Sequence, residues 1–200
     1  FEGGRELELD AVSEVPRYYV CNAYGVCGIY SAPGTAVKEA YDTSGIVTND
    51  RGVTVWLKGN RVSRNQIMAI KEESVTEQKN SLAVCLDNIL RHAGITRNTE
   101  YDLAQGKTAT TILSENMTGV QVLDLSGCTL DAVLYYVNQD IPVLAILEDG
   151  EAVLVTGFNE FNVVIMEPST GKLYKKGMND ATTWFAENGN HFISYMKIDN

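Results

Sequence analysis

Nucleophilic catalysis by this chain would need a thiol or hydroxyl beside a base, and the chain has only two histidines to act as that base. The sequence contains four cysteines and two histidines: Cys21, Cys27, Cys85, Cys128, His92 and His191. A cysteine attacks as its thiolate, which an imidazolium or a helix N-terminus stabilises. His92 follows Cys85 by one helical stretch of about 10 Å, too far for a hydrogen bond. The thiol–imidazole pair that remains open is Cys85 with His191, which only the tertiary fold could bring together.

The cysteine spacing does not match a metal motif. Cys21 and Cys27 flank the segment NAYGV, whereas Cys85 and Cys128 lie in separate apolar segments. A disulfide between Cys21 and Cys27 across a hairpin is one reading, and it requires an oxidising compartment. Buried free thiols are the other reading, and they are the ordinary state of cysteines in apolar segments. Neither a metal nor a cofactor is expected.

Helices followed by strands are predicted for the second part of the chain. In NSLAVCLDNILRHAG the apolar residues have helical spacing, with Asn80 or Ser81 as the N-cap and Gly94 as the stop. Two further helices are predicted over 108–116 and 129–138, and a short one in NDATTWFAENG. β-branched and apolar segments predict strands over 142–147, 151–158, 162–167 and 191–197. This order indicates an α+β fold with an antiparallel sheet.

The first part reads as a small antiparallel β region. Short apolar runs are broken by turn residues, and NDRG between GIVT and VTVWL predicts a hairpin because Asn, Asp and Gly tolerate positive φ. The charged segment KEESVTEQKN lacks apolar periodicity. We therefore predict a small β region over 1–70, a linker over 71–80 and a second domain over 81–200.

Composition excludes several classes of partner. The formal net charge is −10 and the pI is near 4.6, which opposes binding to nucleic acid or to an anionic membrane. No apolar run is long enough to predict a transmembrane segment, and FEGGRELELD lacks the segments of a signal peptide. Because the chain begins with Phe1 and not with Met, we expect either a processed protein or a trimmed form of a longer one.

Several strings of the second part resemble one family of peptidases. NSLAVCLDNILRHAGI is similar to the long helix that carries a Cys-Gly pair in papain-fold cysteine peptidases of the bacteriocin-processing, or C-thirty-nine-like, branch. IPVLAIL, EAVLVTGF and MEPSTG resemble the later strands of that family, which carry its His-Ala-Val and Asp-Pro motifs. The resemblance spans roughly Thr76 to Lys197 and implies a papain-like fold.

The resemblance also implies that every chemical group of the family's site has changed. It sets Ser81 at the nucleophile position, Glu151 at the base position and Glu167 at the position of the orienting aspartate. The position of the oxyanion glutamine falls on Val75, with Gln78 nearby. A carboxylate is a weaker base than imidazole and cannot stabilise a neighbouring anion. The resemblance therefore predicts a degenerate site, with no catalytic residues.

Structural roles compete with this reading. Ser81 is also a good helix N-cap, and Glu151 and Glu167 are also plausible solvated strand ends. If NEF forms a three-residue loop, the two glutamates share one face of the sheet, whereas a two-residue loop separates them. Cys85 lies in the apolar stripe of its helix, where a thiol is usually packing material.

The first part more weakly resembles bacterial SH3-like β modules. The segments that carry this resemblance are YYVCNAYGVCGIYSAPGT and GVTVWLKGNR. Such modules often bind cell-wall peptide or glycan in secreted proteins, which would assign ligand contacts to Tyr24, Tyr30 and Trp56. Aromatic residues at strand spacing are alternatively part of the core.

Two functions follow as hypotheses. The first is a non-catalytic, papain-fold pseudo-peptidase of a bacterium, secreted or at the cell surface, that binds an extended peptide or a cell-wall component. The alternative is an active cysteine peptidase or acyl transferase that uses Cys85, or Ser81, with His191. The distance between these groups separates the two hypotheses.

Overall fold

The first sheet has four strands and carries one helix. The computed structural model describes residues 15–59 and 80–198. The elements of the first region are β1 (Tyr18–Cys21), β2 (Cys27–Tyr30), α1 (Pro33–Thr43), β3 (Ile46–Thr48) and β4 (Thr54–Leu57). The strands pair antiparallel in the order β2-β1-β3-β4. The predicted hairpin turn joins β3 to β4, with Gly52 at a φ of 74°.

The second sheet has six strands with helices packed against it. Its region contains α2 (Ser81–His92), α3 (Glu100–Ala104), α4 (Ala109–Asn116), β5 (Val120–Asp124), α5 (Leu130–Val137), β6 (Val143–Ile146), β7 (Ala152–Phe158), β8 (Asn162–Glu167), β9 (Lys172–Gly177), α6 (Met178–Glu187) and β10 (His191–Lys197). The strand order is β5-β10-β6-β7-β8-β9, and all its pairs are antiparallel. The predicted α+β fold class is confirmed.

Helix α1 corrects the expectation of a purely β first region. The segment APGT reads as a turn, but Pro33 stands at the start of the helix, where its missing N–H costs nothing. Ala36, Val37 and Ala40 are fully buried on the side that faces the small sheet and β5. This apolar stripe holds the helix in place although Ala32, its N-cap, makes no side-chain hydrogen bond.

One of the two residues predicted to cap α2 does so, and the helix begins at the other. Asn80 is the N-cap, and its Oδ1 accepts from the backbone N–H groups of Leu82 at 2.9 Å and Ala83 at 3.3 Å. Ser81 is therefore the first helical residue, and the interpretation of Ser81 as the cap is wrong. Its hydroxyl is left for another contact.

The two regions share a continuous hydrophobic core. Trp56 of β4 is 3% exposed, and its indole N–H donates to the carbonyl of Ala132 at 3.0 Å. The Tyr136 hydroxyl of α5 donates to the carbonyl of Val55 at 2.9 Å. The division into two domains stays a prediction, and the predicted linker lies outside the described residues except for Asn80. No helix in the described ranges combines the length and apolar character that a membrane crossing requires.

Candidate functional site

Three elements meet where the resemblance sets its site. We define the α2–β7 site by Ser81, Cys85, Glu151 and Glu167. The Ser81 hydroxyl, half-buried at the start of α2, accepts a hydrogen bond from the backbone N–H of Ala152 at 2.9 Å. This bond ties the N-terminus of α2 to the first residue of β7. The positions that the resemblance selected on the helix and on the strand are therefore adjacent.

The two glutamates share one face of the sheet. Leu154 pairs with Met166, so the next pair in register sets Glu167 opposite Val153, and Glu151 lies two residues before Val153. Side chains two apart on a strand point to the same side, which makes the glutamates diagonal neighbours. The shared face corresponds to the three-residue-loop alternative of the sequence analysis.

A β-bulge produces this register. Phe158 pairs with Val163, and this register, if continued, would put Glu151 and Glu167 on opposite faces of the sheet. The register then shifts between Val155 and Gly157, where Thr156 is the extra residue. The Thr156 hydroxyl donates to the carbonyl of Val164 at 3.4 Å, within the bulge. The loop and the bulge together decide that Glu151 and Glu167 face the same side.

Local hydrogen bonds fix the Glu167 side chain and the backbone at Glu151. Glu167 Oε1 accepts from the backbone N–H of Ser169 at 3.1 Å and from its hydroxyl at 3.0 Å. The backbone N–H of Glu151 donates to Asp149 Oδ1 at 2.9 Å, in the turn before β7. Glu151 is exposed and Glu167 is half-buried. The site therefore places two carboxylates on one sheet face, where their charges act on Cys85.

Cys85 lies one helical turn beyond Ser81 and is fully buried. Burial raises the pKa of the Cys85 thiol well above its ordinary value, and the negative charges of Glu167 and then Glu151 raise it further. The thiolate that a cysteine mechanism needs is thus disfavoured by both causes. Cys85 acts here as packing material, in agreement with its position in the apolar stripe.

His191 is exposed at the start of β10, whereas Cys85 is fully buried in α2. His191 pairs with Ile146, which pairs with Ala152, so His191 is two strands, roughly 10 Å, from the start of β7. Directly paired residues point to the same face, so His191 points to the same face as Ala152. Glu151, the neighbour of Ala152 in the chain, points to the opposite face. His191 Nδ1 instead lies 3.4 Å from the Ser126 hydroxyl, and its side chain is exposed. The structure does not bring Cys85 and His191 together.

The chemistry available to the α2–β7 site is that of a hydroxyl and two carboxylates. The hydroxyl of Ser81 already accepts a backbone hydrogen bond, which makes its oxygen less basic. Anionic Glu151 and Glu167 cannot stabilise a developing oxyanion as an imidazolium does. The position predicted for the oxyanion donor, Val75 with the nearby Gln78, lies outside the described residues. The arrangement favours contact with cationic or hydrogen-bond-donating ligands.

The aromatic residues selected from the sequence do not lie side by side. Tyr24 is 92% exposed in the β1–β2 turn, and Tyr30 is half-buried on the edge strand β2. Trp56 lies on β4, the opposite edge, where it is buried against α5. Trp56 therefore does not lie beside Tyr24 and Tyr30, because its ring packs between the two regions. The assignment of ligand contacts to these three residues stays a prediction. The ring neighbour of Trp56, Tyr135, lies 79 positions away, and the sequence reasoning did not select it.

Cys21 and Cys27 form a disulfide, the first of the two readings given for this pair. The two residues are directly opposite one another on β1 and β2. Cys128 is a buried free thiol, and burial raises its pKa to about 12. Across residues 15–59 and 80–198, no group of three or more histidine, cysteine or acidic residues could hold a metal ion.

Comparisons with known proteins support the fold. No family profile matches the sequence, and no curated protein matches it. A solved structure from Bacillus anthracis, provisionally described as a C39-like peptidase, superimposes with a TM-score of 0.54 at 14% sequence identity. The match covers 71% of this chain and 100% of that chain. This chain therefore shares its papain-like fold with that protein. The shared part includes the whole length of the Bacillus anthracis chain. The SH3-like resemblance of the first region is not tested by this match and stays a prediction.

Proposed function

We propose that this protein is a non-catalytic member of the papain fold that binds an extended peptide or a cell-wall component at the α2–β7 site. The observation that carries the proposal is the bond from the Ala152 N–H to the Ser81 hydroxyl. The bond supports an arrangement in which the start of α2 contacts the start of β7, as the family's site requires. In this arrangement the nucleophile position holds the Ser81 hydroxyl and the base position holds Glu151.

The charges of the site support binding in place of acyl transfer. A serine nucleophile needs a base whose conjugate acid stabilises the developing negative charge. Glu151 and Glu167 add negative charge to the place where an oxyanion would form, which disfavours that state. The same charges favour a ligand that presents ammonium, guanidinium or amide N–H groups. An extended peptide offers such groups in its main chain and can add basic side chains.

The disulfide supports an exported location. Disulfides persist in oxidising compartments, and Cys21 and Cys27 are both exposed to the surrounding redox conditions. We therefore propose that the protein works outside the cell or at its surface. A thiol titration of freshly isolated, unreduced protein tests this: Cys21 and Cys27 resist alkylation, and their labelling without a reductant would contradict it.

Catalysis is tested with the purified protein and two kinds of reagent. A peptide library, a fluorophosphonate probe and iodoacetamide are incubated with the native protein, with Ser81→Ala and with Cys85→Ala. We expect no cleavage product and no labelling of Ser81 or Cys85 in the folded state. Cleavage or labelling that either substitution abolishes would show an active serine or cysteine enzyme and would overturn the proposal.

Binding is tested with the same library by fluorescence polarisation. We expect the peptides that bind to be enriched in Lys and Arg, and Glu151→Lys to weaken them by roughly tenfold because it places a like charge at the site. Glu187→Lys, an exposed carboxylate at the end of α6, is the matched control for net charge. Equal weakening by both variants would place the ligand elsewhere on the acidic surface.

A further inference from the structure

A pocket separate from the α2–β7 site lies between the first region and α5. Its volume is about 160 Å³, and it is lined by side chains from α1, from the end of β4 and from α5. Three of these side chains are aromatic: Tyr41 of α1, Trp56 of β4 and Tyr135 of α5. We call it the aromatic pocket.

The three rings line the same pocket, with Tyr41 and Tyr135 each beside Trp56. The Trp56 ring centroid lies 6.1 Å from that of Tyr41 and 6.2 Å from that of Tyr135, with interplanar angles of 58° and 51°. Trp56 is nearly fully buried, whereas Tyr41 and Tyr135 are half-buried. Trp56 is therefore the most deeply buried of the three rings that line the pocket. The face of each ring carries partial negative charge, which attracts cations.

A carboxylate completes the lining. Asp131 also lines the pocket, and its Oδ2 accepts a hydrogen bond from the Tyr41 hydroxyl at 2.8 Å. The bond holds the carboxylate beside the Tyr41 ring. Several aromatic rings with one fixed negative charge are the combination that proteins use to bind organic cations, because the rings replace the weak hydration shell of such ions.

The chain itself supplies a cation to this cluster. The ammonium of Lys58 lies 5.6 Å from the centroid of the Tyr41 ring, within the range of a cation–π contact. Lys58 is exposed, and its Nζ also lies 3.5 Å from the Ser44 hydroxyl, at the rim. The Tyr41 ring is thus placed to accept positive charge, and the Lys58 ammonium competes with any cation that enters from solvent.

We propose that the aromatic pocket is a binding site for an organic cation, a methylated ammonium or a guanidinium group. The rings of Tyr41, Trp56 and Tyr135 contact the cation, and Asp131 supplies the counter-charge. The site does not depend on the proposed function of the α2–β7 site, because it uses other elements and another set of charges.

Isothermal titration calorimetry at low ionic strength tests the proposal with three small ligands. Choline represents a free methylated ammonium, N-acetyl-arginine amide represents a peptide side chain, and 3,3-dimethylbutanol has the shape of choline without its charge. We expect at least one cation to bind and the neutral analogue to bind at least tenfold more weakly. Choline binding would identify a free ammonium compound as the source, and binding of the arginine derivative would identify a peptide.

Variants locate the binding. Tyr135→Leu and Asp131→Asn are each expected to weaken the cation by roughly threefold to thirtyfold, whereas Tyr135→Phe keeps the ring and most of the affinity. Lys58→Gln is expected to strengthen binding by about twofold to fivefold because it removes the competing ammonium. Tyr24→Leu, an exposed tyrosine of the β1–β2 turn, is the control. Circular dichroism checks that each variant is folded.

Three results would overturn the proposal. They are the absence of heat with both cations, equal binding of the neutral analogue, and unchanged affinity in both Tyr135→Leu and Asp131→Asn. The first excludes a site, the second shows an apolar pocket without charge selection, and the third places the cation elsewhere on the acidic surface.

Discussion

The α2–β7 site and the aromatic pocket both hold carboxylates beside a helix, but their surroundings differ. Glu151 and Glu167 lie near a buried thiol at the start of β7 and the end of β8, whereas Asp131 accepts a hydrogen bond from a tyrosine of a three-ring cluster. In the proposed function, the first site has the backbone positions of a catalytic centre without its imidazole. The second site gains its chemistry from rings that come together only in the folded chain. Backbone position and side-chain chemistry are therefore separable, and function has to be argued from the latter.

The largest effect is expected for Trp56, because it belongs to the pocket and also joins the two regions. Trp56→Ala removes a buried ring and leaves the carbonyl of Ala132 without the indole N–H. We expect the free energy of unfolding to fall by about 4 kcal/mol. Urea denaturation followed by circular dichroism measures it.

The control for Trp56→Ala is Tyr24→Ala, whose side chain is almost fully exposed. We expect this variant to change the free energy of unfolding by less than about 0.5 kcal/mol. A single transition in both proteins would indicate that the regions unfold together. Two separate transitions in the unmodified protein would contradict the shared core and support the two-domain prediction.

The fold was predictable wherever local patterns decide it. The strands over 162–167 and 191–197 agree with β8 and β10, and the helices over 108–116 and 129–138 agree with α4 and α5 within one residue at each end. In each of these segments the apolar residues recur at the period of a helix or a strand, which places them on one buried face. Four elements were missed: α1, whose start resembles a turn, the short helix α3, and the strands β5 and β9. The sequence KLYKKG of β9 is charged, and none of its residues is fully buried, because it forms a sheet edge, where lysines are common.

The second prediction concerns the pH dependence of stability through Cys128. The pKa of this thiol rises from an ordinary value of 9.0 to about 12 in the folded protein. The unfolded chain loses the proton first, so the stability that the buried thiol contributes is present below pH 9.0 and is lost as the pH rises toward 12. In this range we expect Cys128 to account for a decline of about 1 kcal/mol per pH unit.

Comparison with Cys128→Ala isolates this contribution. Other thiols and tyrosines titrate in both proteins, so the difference between the two pH profiles belongs to Cys128. We expect the variant to be less stable at neutral pH, because it loses a buried side chain, and to decline less steeply above pH 9.0. Parallel profiles in urea denaturation would contradict the burial of this thiol.

The third prediction separates the two polar residues at the start of α2. Ser81→Ala leaves the backbone N–H of the buried Ala152 without its acceptor, and we expect a loss of about 1–2 kcal/mol. Asn80→Ala removes the N-cap and should cost about 1 kcal/mol. Ser114→Ala, at an exposed position of α4, is the control. If Ser81→Ala is as stable as the control, the contact between α2 and β7 does not depend on this hydroxyl.

The site was only partly predictable. The resemblance selected Ser81, Glu151 and Glu167, and the fold brings the start of α2 to the start of β7. The shared face of the glutamates required the bulge at Thr156, which leaves no signal in the apolar alternation of β7 because every residue of that strand is buried. The aromatic pocket joins Trp56 to Tyr135 across the two regions, and no local pattern links residues so far apart in sequence.

The central claim is that the α2–β7 site keeps the positions of a thiol–imidazole centre and lacks only its groups. The most direct test compares iodoacetamide labelling of the triple variant S81C/E151H/E167D with that of S81C near neutral pH, with the labelled residue identified by mass spectrometry. We predict that the new thiol of the triple variant reacts at least about tenfold faster, because an imidazolium replaces a carboxylate beside it and favours the thiolate. Equal labelling rates in the two variants would contradict the claim, since they would show that positions 81 and 151 are not in contact in solution.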